Sequence, residues 1–504
     1  MDELNRKRGM HPVWFFVILS GITIVLSFIL AILNLQGTEY SVSQSGKITS
    51  TIITVNSLVG RTGMRFIFGE SINSVLNFIP FGTIIIGMLG IGTLIKSGLL
   101  KEIFSRASKF IPRSVAFFLF SLLCIVMGFS QELAFIIMIP VAVVLFTEYK
   151  RSQVIGMTMA FVSVAAGANI NLFITSLDYS LIEIAKNSVK IIDKDYTYGY
   201  SGNLFIIVVT SLLLALLITI ITEIIARSKP VRIVETEDDI TEKSKKLGIK
   251  RSFIALIILA VIFIYSIIPG LPLSGGLLDN DQVFYVNKLF GANSPFVNGI
   301  LFIVSFAAFI CGTVYGVTTK QIKTEKDLVR VLTSPVNNIG ELLLITFCAA
   351  EFVAIFKYSN IGEVLTSLLF DFIKNGDFSF IILILLSFVA IVVAGLFVPS
   401  IATKWQMFVP GIMPLFMKSN ITPEFTGAIF RLASGLSNIV SPVFPYFAIY
   451  IGFIALYYKN DQGIKKCYNL LMPYFISILL LFMFIIFAWY ILGLPIGRGI
   501  YPTI

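Results

Sequence analysis

Long runs of apolar residues, separated by short polar connections, divide the chain along its whole length. Eight of these runs approach the roughly 20 residues that a helix needs to cross a bilayer: 13–35, 77–98, 203–226, 252–270, 297–317, 338–356, 379–398 and 468–493. Shorter or interrupted apolar segments occupy 114–148, 153–182 and 405–456. The pattern predicts an all-α, polytopic membrane protein.

The composition excludes a soluble protein. Of the 504 residues, 57% are hydrophobic and 13% are charged, and the mean hydropathy is +0.91. Soluble domains contain about 45–50% apolar and about 25% charged residues. The first run, from Val13 to Leu35, is longer than the roughly 7–15 apolar residues of a signal peptide. We therefore expect it to remain in the protein as a membrane span.

The net charge of +10 lies mostly in the connections and concerns membrane topology, not nucleic acid. The basic residues at 6–8 predict a cytoplasmic N-terminus, because cytoplasmic loops are enriched in Lys and Arg. We expect the protein in the inner membrane of the cell. The charged segment 227–251 is typical of a cytoplasmic linker, which would join an N-terminal half, 1–226, to a C-terminal half, 252–504.

Neither cysteine nor histidine forms a pattern that supports catalysis or metal binding. The four cysteines, Cys124, Cys311, Cys348 and Cys467, have no paired spacing, and we expect them to pack within helices. The only histidine, His11, belongs to the N-terminal tail. We therefore expect neither an enzyme, nor a metal site, nor a cofactor.

Each half contains a polar break inside an apolar region. The first half has AAGAN, ending at Asn169, and the second has ASGLSN, ending at Asn438. Unpaired backbone groups in lipid cost several kcal/mol each, so such breaks survive only where protein buries them or a cavity supplies water. Matching breaks in two halves indicate the midplane site of a transporter with two inverted structural repeats. Alternatively, each break is a proline kink that neighbouring helices satisfy.

Four single residues admit two interpretations each. Arg431 lies at bilayer depth, where its planar fork of donors could bind a substrate carboxylate or form an internal ion pair. Asp178 and Trp405 could line a cavity or lie at the membrane interface. Glu351 interrupts an apolar run and could bind a proton or form a structural ion pair.

Three segments resemble the AbgT family of p-aminobenzoyl-glutamate transporters, in the family's order and spacing: AGANINLFITSLD, TKWQMFVP and ITPEFTGAIFRLASGLSNIVSP. The resemblance extends over nearly the whole chain. It implies about nine transmembrane helices, two re-entrant helical hairpins, a homodimer and an inner core that binds substrate. It also implies that four residues line the substrate path: Asp178, Trp405, Pro423 and Arg431.

The chain departs from the family pattern at several positions. Ser434, which we expect in the cavity, replaces an acid, and Gly395 replaces an asparagine. Hard cations need several oxygen ligands, so the loss of these two oxygen-bearing side chains weakens the pattern by which the family would bind sodium. We expect the coupling ion to be either H⁺ or Na⁺. Arg431 also loses its expected carboxylate. We hypothesise that Glu132 or Glu351 replaces that carboxylate, and that Glu351 holds the coupling proton.

The residues and the resemblance together predict a secondary active transporter of p-aminobenzoyl-glutamate-like or other small aromatic or carboxylate metabolites. It would import them or export antimetabolites by ion-coupled alternating access. A dicarboxylate or peptide-like carrier of the wider ion-transporter group is the alternative. Paired breaks favour a gated site over a passive channel. The expected partners are the small-molecule substrate, the lipid bilayer and a second copy of the chain.

Overall fold

The computed structural model describes residues 10–42, 48–199, 201–227, 240–291, 293–337, 339–457 and 463–504. In these ranges the first half contains ten helices: α1 (Pro12–Ile32), α2 (Arg61–Gly69), α3 (Ser71–Leu76), α4 (Ile79–Lys96), α5 (Leu99–Phe110), α6 (Arg113–Met127), α7 (Gln131–Glu148), α8 (Gln153–Gly167), α9 (Ser176–Val189) and α10 (Leu204–Arg227). The second half contains eleven: α11 (Glu242–Ser266), α12 (Tyr285–Phe290), α13 (Pro295–Thr318), α14 (Glu325–Asn337), α15 (Gly340–Tyr358), α16 (Ile361–Asn375), α17 (Phe380–Phe397), α18 (Ile401–Lys418), α19 (Pro423–Ser437), α20 (Pro445–Tyr457) and α21 (Ile464–Leu492). The all-α prediction is confirmed.

Eight described helices have the length and apolar composition of membrane spans: α1, α4, α7, α10, α11, α13, α17 and α21. The pair α14 and α15, bent by 43°, passes the same test together and would be a ninth span. Every one of the long apolar runs in the sequence falls on a helix, with 338–356 on α15. The polytopic membrane fold is therefore confirmed, whereas the two hairpins and the inverted repeats stay predictions.

A small β-hairpin follows α1, and the sequence analysis did not anticipate it. Its strands are β1 (Gln36–Val42) and β2 (Ile48–Thr54), which pair antiparallel with Gln36 opposite Thr54. The hairpin is tied to α16, because the Thr38 amide donates to the Ser367 hydroxyl at 2.6 Å and that hydroxyl donates to the Thr38 carbonyl at 2.8 Å. Polar β-branched residues favour strands, but the segment lacks the apolar face that makes a strand recognisable.

Part of the predicted linker, 227–251, is helical. Thr241 precedes α11, which begins at Glu242 and runs without interruption into the membrane span, so residues 242–251 are helical. Residues 228–239, like Arg6, Lys7 and Arg8, lie outside the described residues. Charged residues that extend a helix beyond the bilayer have the same composition as a loop, and the cytoplasmic linker stays a prediction.

Burial separates an inner core from an outer layer. Every residue of α19 is buried, as is every residue of α8 except Gln153. In contrast, only 17% of the apolar window of α1 and 11% of that of α11 is buried inside the protein. An apolar helix that exposes most of its surface faces lipid or another chain, so α1 and α11 belong to the outer layer.

Both predicted helix breaks are present in this core. Helix α8 ends at Gly167 and α9 begins at Ser176, while α19 ends at Ser437 and α20 begins at Pro445. The two broken helices also contact each other closely. A Cβ atom at Gly435 of α19 would lie 2.5 Å from the backbone oxygen of Ala166 in α8. Only glycine permits this approach.

We predict that Gly435→Ala lowers the free energy of unfolding by about 1–3 kcal/mol, because the added methyl group overlaps the Ala166 carbonyl oxygen. Gly82→Ala in α4 is the matched control, since nothing lies within 4 Å of a Cβ atom there. Thermal unfolding of the detergent-purified protein measures both variants. Equal melting temperatures for the two variants would contradict the close approach of α8 and α19.

Candidate functional site

Arg431 lies in the middle of α19 and is buried, with only 3% of its side chain exposed. Its Nε donates to the backbone oxygen of Asn169 at 2.6 Å, and its Nη1 donates to Oδ1 of Asp178. The Asn169 carbonyl is available because α8 has already ended at Gly167. An arginine of the second half therefore binds the broken backbone of the first half.

Asp178 is held in place by the start of α9. It is the third residue of that helix and forms a capping box with Thr175: the Thr175 amide and hydroxyl both donate to Oδ2, at 2.6 Å and 2.9 Å. The other oxygen, Oδ1, accepts from Arg431. Each carboxylate oxygen thus has its own partners, and the cap fixes the direction from which Asp178 meets the guanidinium.

The hypothesis that Glu132 or Glu351 compensates Arg431 is wrong, since Asp178 does so. Glu132 lies in the first turn of α7 and is only partly buried. Glu351 accepts a 2.6 Å hydrogen bond from Ser71 of α3 and is also only partly buried. Because Ser434 replaces the family's acid, the sequence pointed to Glu132 and Glu351 as replacements. The actual partner, Asp178, had been predicted only as a residue of the substrate path. A proton-binding role for Glu351 stays a prediction.

Asn438 joins the two breaks from the other side. Its Nδ2 donates to the backbone oxygen of Ala165 at 3.4 Å, so Asn169 and Asn438 each lie where the two broken helices meet. Asn438 Oδ1 and Ser434 Oγ are buried and have no hydrogen-bond partner among the described residues. Both are small oxygen groups that a ligand or a water molecule could satisfy.

Trp405 is fully buried and links α18 to α9. Its indole nitrogen donates to the backbone oxygen of Leu181 at 2.7 Å. Its ring lies 4.6 Å from that of Phe430 and 5.8 Å from that of Phe408, between ring centroids, nearly parallel to Phe408 at 12°. The interfacial interpretation of Trp405 is therefore wrong, because the residue belongs to an aromatic cluster beside the site.

Pro423 begins α19 and is buried there. Thr422 caps the helix by accepting from the Phe425 amide, and the Pro423 carbonyl accepts from the Tyr198 hydroxyl at 3.2 Å. The next residue, Glu424, is fully buried and accepts a 2.6 Å hydrogen bond from Tyr196. Burial, together with that hydrogen bond, raises the pKa of Tyr196 well above its usual range. These contacts anchor the start of α19 to the segment that precedes α10.

Lys404 is the residue that sequence reasoning missed. It precedes Trp405 in α18, is fully buried, and its Nζ has no hydrogen-bond partner in the described part of the chain. The signal was present, since a lysine inside an apolar segment is costly and usually functional. Gly395 leaves room beside Lys404: a Cβ atom there would lie 2.0 Å from Ser437 Oγ and 2.9 Å from Lys404 Nζ.

Metal ligands are not gathered at this site. Within the described ranges, no three His, Cys, Asp or Glu side chains lie together in a group that could hold a metal ion. The arrangement instead offers a guanidinium, an ammonium-forming amine, amide and hydroxyl oxygens and an aromatic cluster. These groups can recognise an anionic molecule with an aromatic ring.

We predict that Asp178→Asn and Arg431→Gln each lower the free energy of unfolding by about 3–5 kcal/mol, because each leaves one buried charge unpaired. The double variant should lose much less than the sum of the two single variants. The exposed pair Glu183 and Lys186, with 54% and 51% of the side chains exposed, is the control cycle and should show a coupling of about 0–1 kcal/mol. Additive effects at Asp178 and Arg431 would contradict the pairing.

The profile of the AbgT transporter family matches residues 7–504. The p-aminobenzoyl-glutamate transport protein of Escherichia coli (strain K12) is 27% identical over 504 residues, covering 98% of this chain and 94% of that protein. Two solved structures are each 25% identical with a TM-score of 0.49. One is the YdaH transporter of Alcanivorax borkumensis, and the match covers 97% of this chain and 100% of that chain. The other is MtrF of Neisseria gonorrhoeae, whose structure is described with a class of antimetabolite efflux pumps, and the match covers 97% of each chain. The chain is a multi-pass membrane transporter and belongs to the AbgT family.

Proposed function

We propose that this protein is a secondary active transporter of small aromatic carboxylates such as p-aminobenzoyl-glutamate. The observation that carries the proposal is Arg431, a buried guanidinium at the point where two broken helices meet. Asp178 and Asn169 use two of its five N–H donors. The remaining donors suit a substrate carboxylate, which guanidinium groups bind in a planar, bidentate manner.

When no substrate is bound, the Asp178 carboxylate would occupy the place at Arg431 that a substrate carboxylate would take. In the structure this carboxylate pairs with Arg431, so the charge would stay paired when no substrate is bound. A substrate carboxylate would share or replace that contact, which loosens α9 from α19. Because the Thr175 cap holds the other oxygen of Asp178, the aspartate would keep its place and could return when substrate leaves.

Trp405 would contribute the aromatic part of recognition. Its ring already stacks on Phe408, and its nitrogen holds Leu181 of α9. Movement of α9 would therefore also shift Trp405 and open the aromatic cluster. A substrate ring could then take a stacked position in the cluster, where such contacts add about 0.5–1.5 kcal/mol beyond area burial.

A cavity of about 240 Å³ would give access to the site. It lies beside the turn between α17 and α18, with Ser400 and Thr403 on one side and Lys357 and Glu363 on another. Val443, from the break between α19 and α20, also lines it. The cavity thus extends from charged groups towards the second broken helix.

Alternating access would move the buried core, including the predicted hairpins, against the outer layer. The exposed apolar surfaces of α1 and α11 support a role for that layer as a scaffold, which we propose forms a homodimer in the inner membrane with the N-terminus in the cytoplasm. The same cycle serves import or antimetabolite export, since the gradients set the direction. The coupling ion is proposed to be H⁺ or Na⁺.

Binding of p-aminobenzoyl-glutamate to the purified protein tests the proposal, with sulfonamides and aliphatic dicarboxylates in the same calorimetric series. We predict that Arg431→Gln weakens binding at least about tenfold, the loss expected for a charge-assisted contact of about 1.5–3 kcal/mol. Arg330→Gln is the control, because 82% of that side chain is exposed. Unchanged affinity in Arg431→Gln would refute the carboxylate site, and a preference for aliphatic dicarboxylates would favour the alternative carrier.

A further inference from the structure

Lys404 is completely buried and lacks a partner among the residues that the structure describes. Its exposed fraction is 0%, and no described residue offers a hydrogen bond to its Nζ. Ammonium groups are almost never fully buried unless they are paired. A lysine in this position either loses its proton or acquires a counter-charge during function.

The charged and titratable groups on the elements packed against α18 do not supply that counter-charge. These elements are β1, α9, α16, α17 and α19, and α17 carries no charged residue. The groups on the others are Glu39, Tyr40, Asp178, Tyr179, Glu183, Lys186, Glu363, Asp371, Lys374, Glu424 and Arg431. Asp178 is paired with Arg431, Glu424 accepts from Tyr196, and Lys374 lies 3.4 Å from the Tyr40 ring centroid.

The end of the Lys404 side chain lies beside the second break. Nζ lies 2.9 Å from the position of a Cβ atom at Gly395, and Ser437 adjoins the same point. Ser437 is the last residue of α19, six positions after Arg431, or about 9 Å along the helix. The amine therefore lies within the electrostatic range of a ligand bound at Arg431.

The cavity lies about one helical turn from Lys404 along α18. Ser400 lines the 240 Å³ cavity, and the Lys404 amide donates to the Ser400 carbonyl at 3.1 Å. Residues four apart lie on the same face of a helix. A proton that passes between the cavity and Lys404 would therefore cross about one helical turn of α18.

We propose that Lys404 is the proton-binding site of the transport cycle, which makes H⁺ the coupling ion. The proton passes between Nζ and water from the cavity, so that an ammonium and water interconvert with an amine and hydronium, and no other bond changes. An anionic substrate at Arg431 favours the ammonium, because an opposite charge stabilises the charged form. The substrate and the proton would then bind together and cross together.

The inference deepens the proposed function and rests on it, so the experiment separates the two. Proton uptake on addition of p-aminobenzoyl-glutamate is measured with a pH indicator in weakly buffered detergent solution, in parallel with calorimetric binding. Lys404→Met removes the proton site with little change in volume, and Lys404→Arg keeps a fixed charge. Lys418→Met, an exposed lysine in the same helix, is the matched control.

We expect wild type and Lys418→Met to take up as much as about one proton per bound ligand, and Lys404→Met and Lys404→Arg to bind without that uptake. Unchanged uptake in Lys404→Met overturns the proposal. If Glu351→Gln loses proton uptake while Lys404→Met keeps it, the proton binds at Glu351, and this result also overturns the proposal. If Lys404→Met does not fold, the wild-type protein alone tests the proposal. If it exchanges no proton when the ligand binds, at any pH between about 5 and 9, Lys404 is excluded as the proton-binding site.

A ligand-free measurement covers the case in which p-aminobenzoyl-glutamate does not bind, which would refute the proposed function alone. An amine whose pKa is lowered in the fold binds fewer protons than in the unfolded chain at pH values between its folded-state pKa and the usual lysine value of about 10.4. The melting temperature of wild type relative to Lys404→Met should then rise as pH increases towards that value. A difference that stays flat across pH overturns the proton site.

Discussion

A guanidinium that is buried in a membrane protein must find fixed partners, and the core of this protein is organised by that requirement. Arg431 obtains a carboxylate from α9 and a backbone carbonyl from the end of α8. The Asn169 carbonyl has no donor within a helix, because α8 ends at Gly167. The helix break and the buried charge thus satisfy each other, and either one alone would cost several kcal/mol.

The same contacts make the site responsive to a ligand. Arg431 and Trp405 hold α9 at two points, Asp178 and Leu181, from two different elements of the second half. A ligand that competes for Arg431 therefore acts on the connection between the halves, and a small local exchange of partners can become a relative movement of packed helices. Lys404 lies beside the second break, and the proton that we propose it binds would change the charge there.

Much of this arrangement could be predicted from the sequence. Apolar runs located the helices because the bilayer fixes their length, and glycine with asparagine located both breaks because such residues end helices. At the start of α19, a hydroxyl cap at Thr422 followed by Pro423 is likewise a local signal of a helix start. These features depend on local chemistry, which a sequence displays directly.

The remaining features depend on contacts between distant residues. Arg431 and Asp178 are separated by 253 positions, so the ion pair between them could not be read from spacing, and Glu132 and Glu351 were chosen instead. The burial of Lys404 depends on α17 and α19 packing over α18. The β-hairpin is stabilised partly by Ser367, far along the chain. None of these partners leaves a local pattern.

The central claim, that the broken helices of the two halves meet, is tested most directly by disulfide formation between them in the native membrane. Ala165→Cys and Asn438→Cys would be combined in a chain whose four native cysteines are replaced, with a protease site inserted between Arg227 and Glu242. After oxidation and cleavage, we predict that the halves stay joined, because Asn438 contacts the Ala165 carbonyl. Ala165→Cys combined with Ile258→Cys on the exposed face of α11 should release separate halves. Separate halves from both combinations would contradict the account.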